Sequence, residues 1–125
     1  MDDEAIGTQI VDCAVKVHTA LGAGLLESAY ESCLAHELAK CGLEVTRQIP
    51  MPVQYDGLQL DVGYRIDMLV NDRVIVELKA VERLLPIHTA QLLTYLKLSK
   101  LRLGFLLNFN VEHMRLGIKR VINGF

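Results

Sequence analysis

The stretch YRIDMLVNDRVIVELKA, Tyr64 to Ala80, decides the fold. It reads as two short apolar strands interrupted by Asp67, Glu77 and Lys79. Residues two apart on a strand share a face, so Ile75, Glu77 and Lys79 go together while Val74, Val76 and Leu78 take the other side. The turn length then places Asp67. A two-residue loop at Asn71-Asp72 sets Glu77 opposite Ile66 and sends Asp67 to the opposite face. A three-residue loop, Asn71-Asp72-Arg73, sets Val70 opposite Val74, Asp67 opposite Glu77 and Arg65 opposite Lys79. Only the odd-length loop leaves Ile66, Met68, Val70, Val74, Val76 and Leu78 on one continuous apolar face, which a one-residue slip would scatter. The pattern therefore predicts a hairpin that clusters Asp67, Glu77 and Lys79.

Two carboxylates directly opposite each other destabilise a sheet, and ionised groups on half-buried strands are costly unless paired. Lys79 or Arg65 can offset the repulsion, which makes the cluster a structural ladder of ion pairs. A hard divalent cation can do the same, since it prefers carboxylate and water oxygens and is often held by one or two carboxylates.

The rest of the chain bounds these readings. Its 125 residues make one domain's worth of chain, long enough to bury a core without staples. Hydrophobic residues make up 51%, which points to a tightly filled core or a covered subunit face. No apolar run approaches the ~18 residues of a membrane span, and the acidic start MDDEAIG lacks the pattern of a signal peptide. Cys13, Cys33 and Cys41 have no CxxC spacing and read as reduced, partly buried thiols of a cytosolic protein. Charge is split: residues 1–44 carry eight acids and two bases, residues 45–125 eleven bases and seven acids. The basic half permits a face for a polyanion, although solubility alone explains such a bias.

Helical spacing of Ile6, Ile10, Cys13, Ala14, Val17 and Leu21 predicts a first helix to about Ala20, broken by LGAG. A second helix is expected from about Leu25 to Cys41, closed by Gly42. Residues 43–70 are rich in β-formers with a turn at YDGL; Val74 to Ala80 is the next strand. Pro86 opens a helix over PIHTAQLLTYLKLSK. LGFLLNFN reads as a strand and RLGIKRVIN as a final strand or short helix. The predicted class is α/β, a mixed β-sheet flanked by helices, with two N-terminal helices.

These motifs together resemble a known family. Asp67 followed at a distance by Glu77-Leu78-Lys79 resembles the D…(D/E)xK core of the PD-(D/E)XK nuclease superfamily, and GLLESAY, with Gly24, Glu27 and Tyr30, looks like its GxxExxY family. The resemblance extends from about Ile10 to Asn123 and implies a restriction-endonuclease-like core filling one domain, residues 1–125. It implies that Asp67 and Glu77 bind Mg²⁺ or Mn²⁺, that Lys79 positions or activates the attacking water, and that Glu27 completes the metal site. Gln91 and Tyr95 are similar to the QxxxY element of RecB-type nucleases. Ile66 stands where the superfamily name has proline, and Ala23 where the family's turn has one.

The implied function is divalent-metal-dependent hydrolysis of phosphodiester bonds, foremost in DNA, in the cytoplasm and without a membrane. The alternative is a non-catalytic nucleic-acid-binding or regulatory protein-interaction module that keeps the fold; a homodimer would serve either. A bound cation lowers the pKa of its water and polarises the phosphate, and a lysine nearby stabilises developing charge. Supporting or nucleic-acid-binding candidates are Gln91, Tyr95, His88 and Tyr30. His88, Gln91 and Tyr95 follow one another along a helix beside Leu92, Leu93 and Leu96, equally the boundary of an ordinary amphipathic helix. Tyr30 is as readily core, Glu27 equally a solvated helix charge, Glu31 a solvated charge and His18 a helix-end residue. Tyr55 and Tyr64 lie on expected strands, with nothing to mark a stacking platform.

Overall fold

A five-stranded mixed sheet forms the centre of the computed structural model, which describes residues 1–124. Two helices come first, α1 (Asp3–Leu21) and α2 (Glu27–Lys40). Then come β1 (Val45–Pro50), β2 (Val53–Tyr55), β3 (Leu58–Leu60), β4 (Arg65–Val70) and β5 (Val74–Lys79). Helix α3 (Pro86–Ser99) leads to β6 (Leu103–Asn108), a 3₁₀ turn at Met114–Gly117, and β7 (Ile118–Ile122). The sheet order is β1-β4-β5-β6-β7, while β2 and β3 form a separate hairpin. Among the described residues only β5 and β6 pair in parallel. The expected α/β class with a mixed sheet and two N-terminal helices is the observed one, consistent with a restriction-endonuclease-like fold. RLGIKRVIN supplies both alternatives, the 3₁₀ turn and then the strand.

Local chemistry explains the helix limits. Asp2 caps α1 through a 2.8 Å bond from the Ala5 amide, and Asp3 and Glu4 sit at its positive end. Gly22 ends it at φ 70°, its amide donating to His18 O at 2.8 Å. A side chain disfavours that left-handed backbone, which glycine adopts freely.

The helices cover opposite faces of the sheet. Ile6, Ile10 and Ala14 of α1 and Tyr30, Leu34 and Leu38 of α2 pack on Met68, Val70, Val74, Val76 and Leu78. Leu92, Tyr95 and Leu96 of α3 pack on Ile75, Leu106 and Val121. Gly104 lets α3 approach, since a Cβ there would lie 3.0 Å from Leu92 Cδ1. Strand β6 is buried along its whole length and β5 up to Leu78, as expected for a parallel pair covered on both faces.

The hairpin register is the three-residue one, with Val70 opposite Val74 and Met68 opposite Val76. One residue departs from expectation. Ile66 packs with Ile75, Leu92 and Tyr95 under α3, not with Met68 and Val70. The β4–β5 ladder stops at Met68–Val76, and side chains take over its hydrogen bonds from Asp67 onward. The strict alternation behind the one-face expectation therefore does not carry through Asp67.

Of the cysteines, Cys13 is buried, Cys33 half-buried and Cys41 exposed, the last a departure from partial burial. No helix among the described residues is long and apolar enough to cross a membrane.

Candidate metal and phosphodiester site

The site lies where the β4–β5 ladder ends. Asp67 N donates to Glu77 Oε2 at 2.7 Å, and Leu78 N donates to Asp67 Oδ2 at 2.9 Å. Each carboxylate thus bonds a backbone amide of the other strand, which fixes both side chains and spends one oxygen of each. Asp67 Oδ1 has only a long contact, 3.5 Å, from Gln48 Nε2.

The electrostatics are unbalanced. Glu77 is 4% exposed, and burial followed by the charge of Asp67 pushes its carboxyl up to about 8. Burial also raises Asp67, against the bond from Leu78 N, with Glu31 and Glu27 adding to the rise. Lys79 favours the ionised form of both acids, yet among the described residues it forms no ion pair within 4.0 Å. Arg65 directs its guanidinium to Gln48 O at 3.5 Å. The ion-pair ladder that the sequence allowed is therefore not formed.

A divalent cation fits this donor set. A buried and a half-buried carboxylate side by side, each held by one oxygen and, among the described residues, without a paired cation, suit a hard ion that keeps several waters. Among the described residues no three His, Cys, Asp or Glu side chains converge as a ligand group. Glu27, exposed in the first turn of α2, acts on Asp67 and Glu77 by its charge rather than as a third adjoining carboxylate.

The other candidates take distinct places. Tyr30 is fully buried; its hydroxyl donates to Gly22 O at 2.6 Å and accepts from Leu25 N at 3.1 Å. Its ring stacks on Phe109 at 4.6 Å. Of the two roles considered for Tyr30, support is the one such a side chain can fill, because it staples the turn leading to Glu27. His88 Nδ1 accepts from Leu85 N at 3.0 Å and so closes the start of α3. Tyr95 is buried, and its hydroxyl is pushed up to about 12 by burial and by the charges of Glu77, Tyr64 and Asp67. Gln91 lies one turn earlier and lines a groove with Tyr95. His18 Nε2 donates to Val111 O at 2.8 Å, a link between α1 and the segment after β6.

Three residues that support the site escaped the sequence reading. Glu31 is not solvated: it is buried, paired to Arg47 at 2.8 Å and bonded by Gln48 Nε2 at 2.7 Å. Gln48 adopts φ 53°, a strained choice for a non-glycine residue, and its amide spans Glu31 and Asp67. Asn108 is buried and grips Val81 twice, accepting from its N at 3.1 Å and donating to its O at 3.0 Å. That clamp sets the chain just beyond Lys79. The glutamate's position one residue after Tyr30, on the core-facing side of α2, was the available signal; nothing marked Gln48.

Comparison with known proteins supplies the family. None of the curated proteins and none of the solved structures matches this chain significantly. A family model described as PD-(D/E)XK nuclease superfamily matches residues 4–121, and so covers both the Asp67–Glu77–Lys79 cluster and the helices around it. Members of that superfamily are typically metal-dependent hydrolases of nucleic acids. With nearly the whole length matched, the chain belongs to the PD-(D/E)XK nuclease superfamily.

Proposed function

We propose that residues 1–125 act as one nuclease domain that hydrolyses phosphodiester bonds in nucleic acid, foremost DNA, with Mg²⁺ or Mn²⁺, and that the chain is a GxxExxY-type member of its superfamily. The observation that carries this reading is the reciprocal pair: Asp67 and Glu77 each bond the other's strand, and among the described residues neither has an ion-pair partner within 4.0 Å. In a member of a nuclease superfamily, buried acids with a carboxyl lifted to about 8 are expected where a metal belongs.

The residues divide the work by position. Asp67 and Glu77 would hold the ion, each keeping one carboxylate oxygen that the backbone does not engage. A bound divalent cation supplies polarisation of the phosphate and a more acidic water. Lys79, two residues past Glu77 on the same strand, offers its ammonium to the charge that grows on the phosphoryl oxygens. Glu27, in the first turn of α2, adds its negative charge to that of the two acids. Gln48, anchored by Glu31, reaches Asp67 at 3.5 Å, and Asn108 keeps the chain after Lys79 in register.

The test is cleavage of end-labelled DNA and RNA of single-stranded and duplex form, with Mg²⁺ or Mn²⁺ against excess chelator. The expected result is metal-dependent cleavage that Glu77→Gln abolishes. Cleavage that persists in chelator, or equally in the Gln variant, would assign it to a contaminant or another site.

A further inference from the structure

A groove of about 650 Å³ lies between the β2–β3 hairpin, the segment leading into β4, and α3. This volume is in the range of pockets that hold small ligands. Its walls include Leu60, Val62, Tyr64, Ile87, Gln91 and Tyr95, and among the described residues no Asp, Glu, Lys, Arg or His lines it. Tyr64 meets Tyr95 edge-on at 6.4 Å and stays 46% exposed. Tyr95 also packs in the apolar cluster of Ile66, the residue just before Asp67, so one side chain joins groove and candidate site. Gln91 adds an amide that can both donate and accept.

We propose that this groove takes an unpaired nucleobase next to the phosphate being cleaved, so that single-stranded nucleic acid, or a strand splayed from a duplex, is the preferred substrate. The inference rests on the phosphodiesterase reading and deepens it. Planar, neutral heteroaromatics stack on aromatic side chains and are read at their edges by amides. An uncharged apolar groove suits a base and does not suit a phosphate. The cations for the backbone stand outside the groove: Arg65, exposed and next in the chain after Tyr64, and Lys79 beside the acids. A base locked in a duplex cannot enter unless it is extruded, which costs unstacking energy. The sequence had given no sign of a stacking platform, because the groove is built by bringing Tyr64 against a helix some thirty residues later.

The test is equilibrium binding in metal-free, chelator-containing buffer, with a single-stranded oligonucleotide carrying one 2-aminopurine as probe. The expected result is saturable quenching with the single strand, reversed by unlabelled single strand but much less by a blunt duplex or by an abasic strand added as competitor. Tyr64→Ala should weaken binding by about tenfold, since one stacked base contributes ~1–3 kcal/mol and 1.4 kcal/mol is tenfold. Tyr64→Phe should bind as the wild type. Ile87→Asp, at an exposed position on the groove, gives an independent loss if the alanine variant fails to fold. Equal binding of single strand, duplex and abasic strand, or no effect of folded Tyr64→Ala and Ile87→Asp, would overturn the proposal. A dimer in sedimentation that Ile87→Asp converts to monomer would also overturn it, making the groove an interface between copies. The two readings fail separately: Glu77→Gln should keep the quenching while losing cleavage. Cleavage of duplex and single strand alike, unchanged in Tyr64→Ala, would remove the base groove and leave the nuclease.

Discussion

Two glutamates on this molecule face opposite ways electrostatically. Glu37 on α2 lies between Lys16 and Lys40, 2.9 Å from each, and the bonds from those lysines hold its carboxyl down at about 2. Glu77 on β5 lies against Asp67 with no paired cation, and its carboxyl rises to about 8. Glu37 has the partners that keep it charged, and it belongs to the helix surface. Glu77 is kept in place by backbone while, among the described residues, it lacks an ion-pair partner, and the proposed metal site rests on that asymmetry.

The largest break in this comparison should come from Glu77→Gln and Asp67→Asn. Either is expected to take metal-dependent cleavage to background, whereas Glu37→Gln should leave the rate unchanged; initial rates on a labelled strand measure both. Lys79→Ala comes next, with a loss of about 10²–10³ in kcat, the size typical of removing one group that stabilises transition-state charge. Metal binding measured by calorimetry should survive in that variant, which separates charge stabilisation from ligation. Tyr30→Phe removes the hydroxyl shared by Gly22 O and Leu25 N and should lower unfolding stability by ~1–3 kcal/mol, read by denaturant titration.

The finest distinction is the sign of the pH dependence. Glu77 has a folded value near 8 against an ordinary 4.5, so the metal-free native state binds the extra proton between them and loses stability as pH rises through that window. Glu77→Gln should therefore match the wild type near pH 4 and exceed it above pH 8. Glu37 has the reverse sign: its contribution is present above about 4.5 and is lost as pH falls through about 2. Glu37→Gln should lower stability slightly at neutral pH and not at all near pH 1. Thermal unfolding of metal-free protein across pH checks both; curves displaced in the same direction would undo the contrast.

The hairpin was legible because burial enforces the register: only a three-residue turn keeps Val70, Val74, Val76 and Met68 together, and that is the turn observed. Helix limits were legible from Gly22, Gly42 and Pro86. What the sequence left hidden depends on packing across the chain. Ile66 changes faces because carboxylates displace ladder bonds at Asp67, an event without a periodic signature. Glu31 looked like a solvated charge until Arg47 and Gln48 met it from β1. His88 carries a motif-like spacing yet closes a helix end. The acids and lysine were legible as a cluster, but the missing ion pair to Lys79 emerges only from side-chain placement.

The central claim, that Asp67 and Glu77 hold a divalent cation, is tested most directly by calorimetric titration of Mn²⁺ into the metal-free protein and Glu77→Gln. The titration should be run below pH 8 in two buffers of different ionisation enthalpy. The account predicts saturable binding to the wild type with release of about one proton, because a ligand carboxyl must deprotonate to bind metal, and loss of that binding in the variant. Equal binding by both proteins, or none by the wild type at about millimolar metal, would contradict it.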